Sequence, residues 1–266
     1  MKKVFAMALA MAMGLLLLTG CGKAGSSDWA DIEKAGVLKI GITLYEPMNY
    51  KDESGKLVGF DTELAEAVCE KLGVKPEFVE IDWDQKVVEL KSKNIDCIWN
   101  GMTMTDELKP NMDFSVAYSG NMQVCVINVA NKDKYTSLQD MADAKIVAEA
   151  GSAGAAAVEG AEELKNATLT TLTAQRDTLL ELKSGTADVA VIDGVMAKAS
   201  VGEGTDFADL MIVPNVELTK EEYGIGFRKD SDLTQKVNDA LQQLTEEGVV
   251  EEIAAKYPSV LVTLGQ

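Results

Sequence analysis

The 266-residue chain predicts an α/β fold of two lobes, each a mostly parallel sheet covered by helices. Three observations predict it. Strand-like apolar runs alternate with amphipathic helical ones, the pattern of parallel sheets flanked by helices. The alternation completes one round and restarts near residue 138. And once the first twenty residues are set aside, the remaining 246 are enough for one large domain or two smaller ones.

Those first twenty residues have the layout of an export signal. Lys2 and Lys3 form a short basic region, and Val4 to Leu18 is almost wholly apolar. The run is too short for a comfortable membrane span of about 20 residues. Its exit, Leu18-Thr19-Gly20-Cys21, resembles the bacterial lipobox, in which the cysteine thiol is acylated and becomes the new N-terminus. Residues 21–27 then read as a flexible polar tether. The expectation is a soluble body held to the outer face of the cell membrane by lipid on Cys21.

Loss of the leader takes Lys2 and Lys3 with it and moves the formal charge from −18 to −20. So acidic a body is unsuited to nucleic acid, whose phosphates call for Lys and Arg. Histidine is absent, which removes the commonest general base and a common zinc ligand. Cys69, Cys97 and Cys125 have no metal-ligand spacing and read as small buried apolar side chains. No cofactor or metal is expected.

In the first round, Val37–Ile42 is a strand. Asp61 is positioned to cap a helix through Leu72, with Leu64, Ala65, Val68 and Leu72 on one face and Gly73 as the stop. Residues 77–81 form a strand, 84–93 a helix, 95–99 a strand, 106–112 a short helix broken by Pro110, and 122–129 a longer strand. The second round runs helix 138–142, strand 144–148, helix 154–164, strand 168–172, helix 174–184, strand 188–192, helix 194–201 and strand 210–213. A strand over 223–227 and helices over 233–247 and 249–257 close the chain.

In open α/β sheets, ligands bind beyond the carboxyl ends of strands. That rule selects Tyr45 and Glu46 after the first strand, and Asn100, Gly101 and Thr103 after residues 95–99. In the second round it selects Glu149 and Ser152 after residues 144–148, and Asp193 after residues 188–192. An aromatic face, hydroxyls, glycines that expose backbone N–H groups and isolated carboxylates equip a site for a small polar molecule. Each residue alone also fits turn chemistry, and Ser152 fits a helix cap.

Gly55-Lys56-Leu57-Val58-Gly59-Phe60-Asp61 followed by an acidic amphipathic helix resembles the extracellular solute-binding proteins of polar amino-acid ABC transporters, family 3. So do the stretch Ile95 to Glu107, Met112-Asp113-Phe114-Ser115, Ala150-Gly151-Ser152, the stretch Ala187 to Asp193, and Glu222 to Lys229. The ordered set covers nearly the whole mature body, from about Val37 to Tyr257. The resemblance implies a periplasmic-binding-protein-like (type II) fold, with lobe one as residues 28–121 plus 219–266 and lobe two as residues 122–218. The crossings would fall near 119–123 and 217–223 and close the cleft by a hinge motion. It also implies a monomeric solute receptor partnered by a permease and an ATPase.

Carried over by position, Tyr45 matches the aromatic that packs on the ligand. Asn100, Gly101 and Thr103 match the loop that receives its carboxylate and amine. Ser152 matches a lobe-two hydroxyl at the carboxylate, and Asp193 the acid that pairs with the α-ammonium. Asp61 also falls in a family motif, but its position suits a cap. One departure stands out. The family commonly has Arg seven residues after the glycine of the Gly-x-Thr loop, clamping the α-carboxylate through two parallel hydrogen bonds. Here that position is Leu108, and Lys109 beside it points about 100° away on a helix. With Glu46, Glu149 and Asp193 as candidate pocket acids and no assigned cation, a cationic or zwitterionic solute is expected, unless Arg176 reaches the cleft from elsewhere.

Two other classes are open at this level. A few relatives of this kind are cyclic-acid dehydratases, and without His the acid–base work would fall to Glu46, Glu149 or Asp193. An extracellular sensor module is the other.

Overall fold

The computed structural model describes residues 27–265. The leader, Cys21 and most of the expected tether lie outside them. The first sheet has the strand order Lys75–Glu80, Val37–Ile42, Cys97–Ile98, Gly226–Arg228, Met112–Phe114. Val37–Ile42 pairs in parallel with both neighbours. The second sheet runs Leu210–Tyr223, Ser119–Asn128, Val189–Asp193, Lys145–Glu149, Thr168–Leu172, with Leu261–Val262 added to the start of Ser119–Asn128. Each sheet is mixed rather than mostly parallel. Gly226–Arg228 is antiparallel in the first, and Ser119–Asn128 is antiparallel to both neighbours in the second. These are the places where the chain leaves one sheet and returns to it.

The two long strands form the link. Ser119 pairs with Tyr223, Gly120 with Glu222, Asn121 with Glu221 and Gln123 with Thr219. Sequence periodicity ended one strand at Val213 and began another at Tyr223. Instead a single strand runs through Pro214, with register shifts between Ile212 and Glu217 and again between Glu217 and Thr219. Proline has no N–H to give to the ladder, and Asn215 takes a left-handed φ of 60°, so the strand bulges there rather than ending.

Helix Phe60–Leu72 ends, as expected, on a left-handed Gly73. Its start differs. The N-cap is Gly59, no side chain caps the helix, and Asp61 lies inside the first turn. Gly59 has φ 129°, and a Cβ there would come within 2.3 Å of the Met48 carbonyl oxygen, so only glycine admits this entry. Residues 106–111 form turns rather than a short helix, and Met112 already opens the strand Met112–Phe114, because Pro110 denies a helical N–H so close to both ends.

Helix Asp28–Ala35, not expected from periodicity, is capped by the Ser27 hydroxyl, which accepts from Ala30 N at 3.0 Å. It is pinned to the first sheet by Arg228, whose guanidinium donates to Asp28 at 2.9 Å, Asp96 at 3.0 Å and the Ile95 carbonyl at 2.6 Å. The first lobe buries Leu38, Ile40, Ile42, Phe60, Trp99 and Phe227; the second buries Ile127, Ile146, Val189 and Val191. Cys69, Cys97 and Cys125 are free and buried. Burial pushes the Cys69 and Cys125 thiols up to about 12, which keeps them unreactive. Among the described residues no helix is long and apolar enough to cross a membrane.

Candidate functional site

A cavity of about 550 Å³ lies between the strand ends of the two sheets. From the first it is lined by Tyr45, Asn100, Gly101 and Thr103, and from the second by Glu149, Ser152 and Asp193. All seven come from strand-end loops or from the ends of the strands themselves. Glu46 is the exception among the expected residues. It is half-buried outside the lining, where burial raises its pKa, the Arg176 guanidinium pulls it down and Asp206 raises it further.

The geometry separates scaffold from surface. Asn100 is spent within its own lobe: it accepts from the Thr43 hydroxyl at 2.7 Å and donates to the Thr43 carbonyl at 3.0 Å and to Asn49 at 2.7 Å. Gly101 is held by the side chain that sequence pattern assigned to a cap. Its N–H donates to Asp61 Oδ2 at 2.7 Å, and Tyr118 donates to the same oxygen at 2.9 Å. Gly101 has φ 55°, and a Cβ would stand 2.6 Å from the Tyr45 ring. Ser152 caps helix Ala153–Gly160, accepting from Ala155 N at 3.1 Å. Tyr45 is buried, with its hydroxyl 2.8 Å from that of Tyr223.

The acids are the least ordinary part. Asp193 accepts from Asn121 at 2.5 Å and Gln123 at 2.7 Å through one oxygen, and from Gln175 through the other. Burial lifts its pKa to about 6, and Glu221 nearby adds to the rise. Glu221 shares the same amides: Asn121 donates to it at 2.9 Å and Gln123 at 3.0 Å, while Thr103 donates at 2.8 Å. Glu149 is lifted by burial, then by Asp193, to about 8, against the pull of Lys86 and hydrogen bonding from Gln175. Asp61, wholly buried, is lifted by burial to about 7.

Leu108 lines the cavity and packs on the apolar cluster of Trp83 and Met112. Lys109 is exposed and paired with Asp106 at 2.6 Å. Arg176 is outside the lining and pairs with Asp206 at 3.3 Å. The cleft nevertheless holds a cation that sequence reasoning missed. Lys86, 5 % exposed, lines the cavity and donates to the Gly151 carbonyl at 2.8 Å and the Trp83 carbonyl at 3.1 Å. In sequence it stands beside Val87 and Val88 in a short helical run, which reads as a surface lysine. Asn121, Gln123, Gln175 and Glu221 were also missed. Strand pairing brings Asn121, Gln123 and Glu221 to Asp193, and the first residue of helix Gln175–Ser184 adds Gln175.

Two α/β lobes linked by adjacent antiparallel strands, with a buried polar cavity between them, define a solute-binding protein of the two-lobed cleft kind. The chain belongs to the bacterial extracellular solute-binding proteins, family 3, which it matches over residues 38–259. It is 32 % identical over 245 residues to the arginine-binding extracellular protein ArtP of Bacillus subtilis, covering 90 % of this chain and 92 % of that one. It is 25 % identical over 261 residues to the L-cystine-binding protein TcyJ of Escherichia coli, covering 96 % of each. Among solved structures it resembles an ancestral arginine-binding protein bound to arginine, with a TM-score of 0.78 and 36 % identity over 84 % of this chain and 98 % of that one. It also resembles a histidine-bound ABC uptake transporter substrate-binding protein from Streptococcus pneumoniae, with a TM-score of 0.79 and 32 % identity over 87 % of this chain and 96 % of that one.

Proposed function

We propose that this protein is the lipid-anchored solute receptor of an ABC importer and that it closes on a small amino-acid-like solute bearing a cationic nitrogen. The observation that carries this reading is the buried pair Asp193 and Glu149 in the cavity wall, with Leu108 in place of a carboxylate-clamping arginine. Acid side chains of Asp84, Glu107, Glu149, Glu159 and Asp193 line the cavity against Lys86, its one lining cation among the described residues. A cation gains in such a field what an anion loses. The solutes named for the relatives, arginine, histidine and cystine, all carry ammonium groups.

In this reading residues 28–121 and 219–266 form one lobe and residues 122–218 the other. The ladder between residues 119–123 and 219–223 is the hinge, and the receptor acts as a monomer facing a permease and an ATPase. Tyr45 stacks on the solute, and Asp193 with Glu149 receives its ammonium. The protein is a receptor rather than a catalyst, in keeping with its binding-protein relatives. It works outside the cell membrane, in keeping with its family.

Isothermal titration with L-arginine, L-histidine and L-glutamate is the test. The basic amino acids should bind, glutamate should not, and Asp193→Asn should abolish most binding. Tight glutamate binding by the unmutated protein overturns the reading. The anchor has its own test: Cys21→Ala should move the protein to the soluble fraction, and continued sedimentation with membranes refutes acylation there.

A further inference from the structure

We propose that Lys86 is the cation that receives the solute's carboxylate, in place of the arginine that position 108 lacks. Lys86 opens helix Lys86–Lys91 on the first lobe, and its ammonium lies 4.7 Å from the centre of the Trp83 ring. Its two hydrogen bonds go to neutral carbonyls, of Trp83 on its own segment and of Gly151 on the facing lobe. An ammonium has three N–H donors, so one remains. No ion pair holds Lys86 among the described residues. Yet a buried ammonium is costly to keep charged without an anion against it. Burial draws its pKa down, and only the field of Glu149, Asp84 and Glu107 draws it back.

The surroundings give the missing anion a place. Gly151 directly precedes Ser152, the N-cap of helix Ala153–Gly160, so Lys86 stands beside a helix N-terminus. The first-turn amides of a helix have no intrahelical acceptor, and that end carries partial positive charge. Lys86 and the helix therefore make one positive corner in an otherwise acidic cavity. Glu149, which interacts with both Lys86 and Asp193, lies next to it. An α-amino acid carries its carboxylate and ammonium on the same carbon and needs adjacent poles of opposite sign, which Lys86 and Glu149 provide. The Gly151 contact also requires the two lobes to be together, so the carboxylate is received only on closure.

This inference rests on the amino-acid-like reading above, and matched ligand pairs separate the two. L-arginine and agmatine differ only by the carboxylate, as do L-lysine and cadaverine. Isothermal titration of the full mature protein with all four should show each amino acid preferred over its amine by at least about tenfold, the scale of one charge-assisted contact. Lys86→Met should cost the amino acids about tenfold more than it costs the amines, whereas Lys86→Arg should keep the preference. The inference is overturned if Lys86→Met weakens both members of a pair equally or retains the preference. A lack of preference in the unmutated protein overturns it without any variant, should Lys86→Met fail to fold. If none of the four binds the unmutated protein, the amino-acid reading itself falls, and this inference with it.

Discussion

The Thr103 hydroxyl donates to the Glu221 carboxylate at 2.8 Å, tying the loop that ends strand Cys97–Ile98 to the strand that links the two sheets. The same loop pairs with the strand's end beside Tyr223: Met104 N–H donates to the Glu222 carbonyl and Gly224 N–H to the Met102 carbonyl, each at 3.0 Å. The candidate binding loop is thus fastened to the crossing rather than merely beside it. Thr103→Val keeps the shape and removes the donor. Hydrogen bonds to charged groups contribute about 1.5–3 kcal/mol, and partial exposure puts this one near the lower end. Urea unfolding should therefore show a loss of about 1.5 kcal/mol. An unchanged midpoint would mean that Asn121 and Gln123 satisfy Glu221 without Thr103.

The carboxyls raised furthest among the described residues are Asp193 at about 6, Asp61 at about 7 and Glu149 at about 8, and burial raises Glu46 as well. A carboxyl whose folded pKa is raised holds its proton more tightly in the native state than in the unfolded chain. Between the unfolded and folded values the native state binds more protons, so stability falls as pH rises. Carboxyls paired with cations, such as Asp28 and Glu63, are lowered and act only below about pH 4. The ligand-free protein should therefore be more stable at pH 5 than at pH 8, as read by denaturant midpoints. Glu149→Gln and Asp193→Asn should each flatten that slope. A cationic solute favours the ionised acids, so its stabilising effect should grow over the same window. Equal midpoints at the two pH values would contradict the raised values.

Much of the fold was legible because its elements are local. Thr168–Leu172 and Val37–Ile42 match the pattern to the residue, and Gly73 and Gly185 stop their helices in left-handed conformations. What failed depended on distant partners. Asp61 has the right residue type for a cap, and nothing local shows that Gly101, forty residues away, claims its carboxylate. Leu210–Tyr223 passes through Pro214 because pairing with Ser119–Asn128 outweighs one missing donor. The same division holds at the site. Strand-end residues were found by the topology rule, whereas Lys86 enters the cleft only because the facing lobe brings the Gly151 carbonyl to it.

Asp61 should matter to stability and to the cavity together. Its Oδ2 accepts from both Gly101 and Tyr118, wholly buried. Asp61→Ala leaves both donors without that acceptor, at about 1–3 kcal/mol for each buried unsatisfied group. It also frees the loop that carries Gly101 against Tyr45. Thermal unfolding should shift down, and affinity for L-arginine should weaken in parallel. Asp61→Asn, which retains one acceptor oxygen, should recover part of both. Full affinity in a destabilised Asp61→Ala would show that the loop keeps its place without the carboxylate.

Leu108→Arg tests the charge balance of the cleft by adding a cation where Lys86→Met removes one. Leu108 is half-buried, lines the cavity and packs on the cluster that includes Trp83, Met102 and Met112. An arginine stem can keep much of that apolar contact while its guanidinium reaches polar surroundings, so the stability cost should stay near about 1 kcal/mol, as for many single substitutions. The guanidinium adds a planar, two-pronged carboxylate donor that a lysine ammonium does not reproduce. Neutral amino acids such as L-alanine, whose carboxylate is a large share of what the site can grip, should gain about tenfold in affinity. Cadaverine, which has no carboxylate, should lose affinity, because the new charge repels it and partly neutralises Glu149 and Asp193. Isothermal titration with these two ligands reads both effects at once. A Leu108→Arg protein that gains nothing for L-alanine and loses nothing for cadaverine would place residue 108 outside the solute's reach.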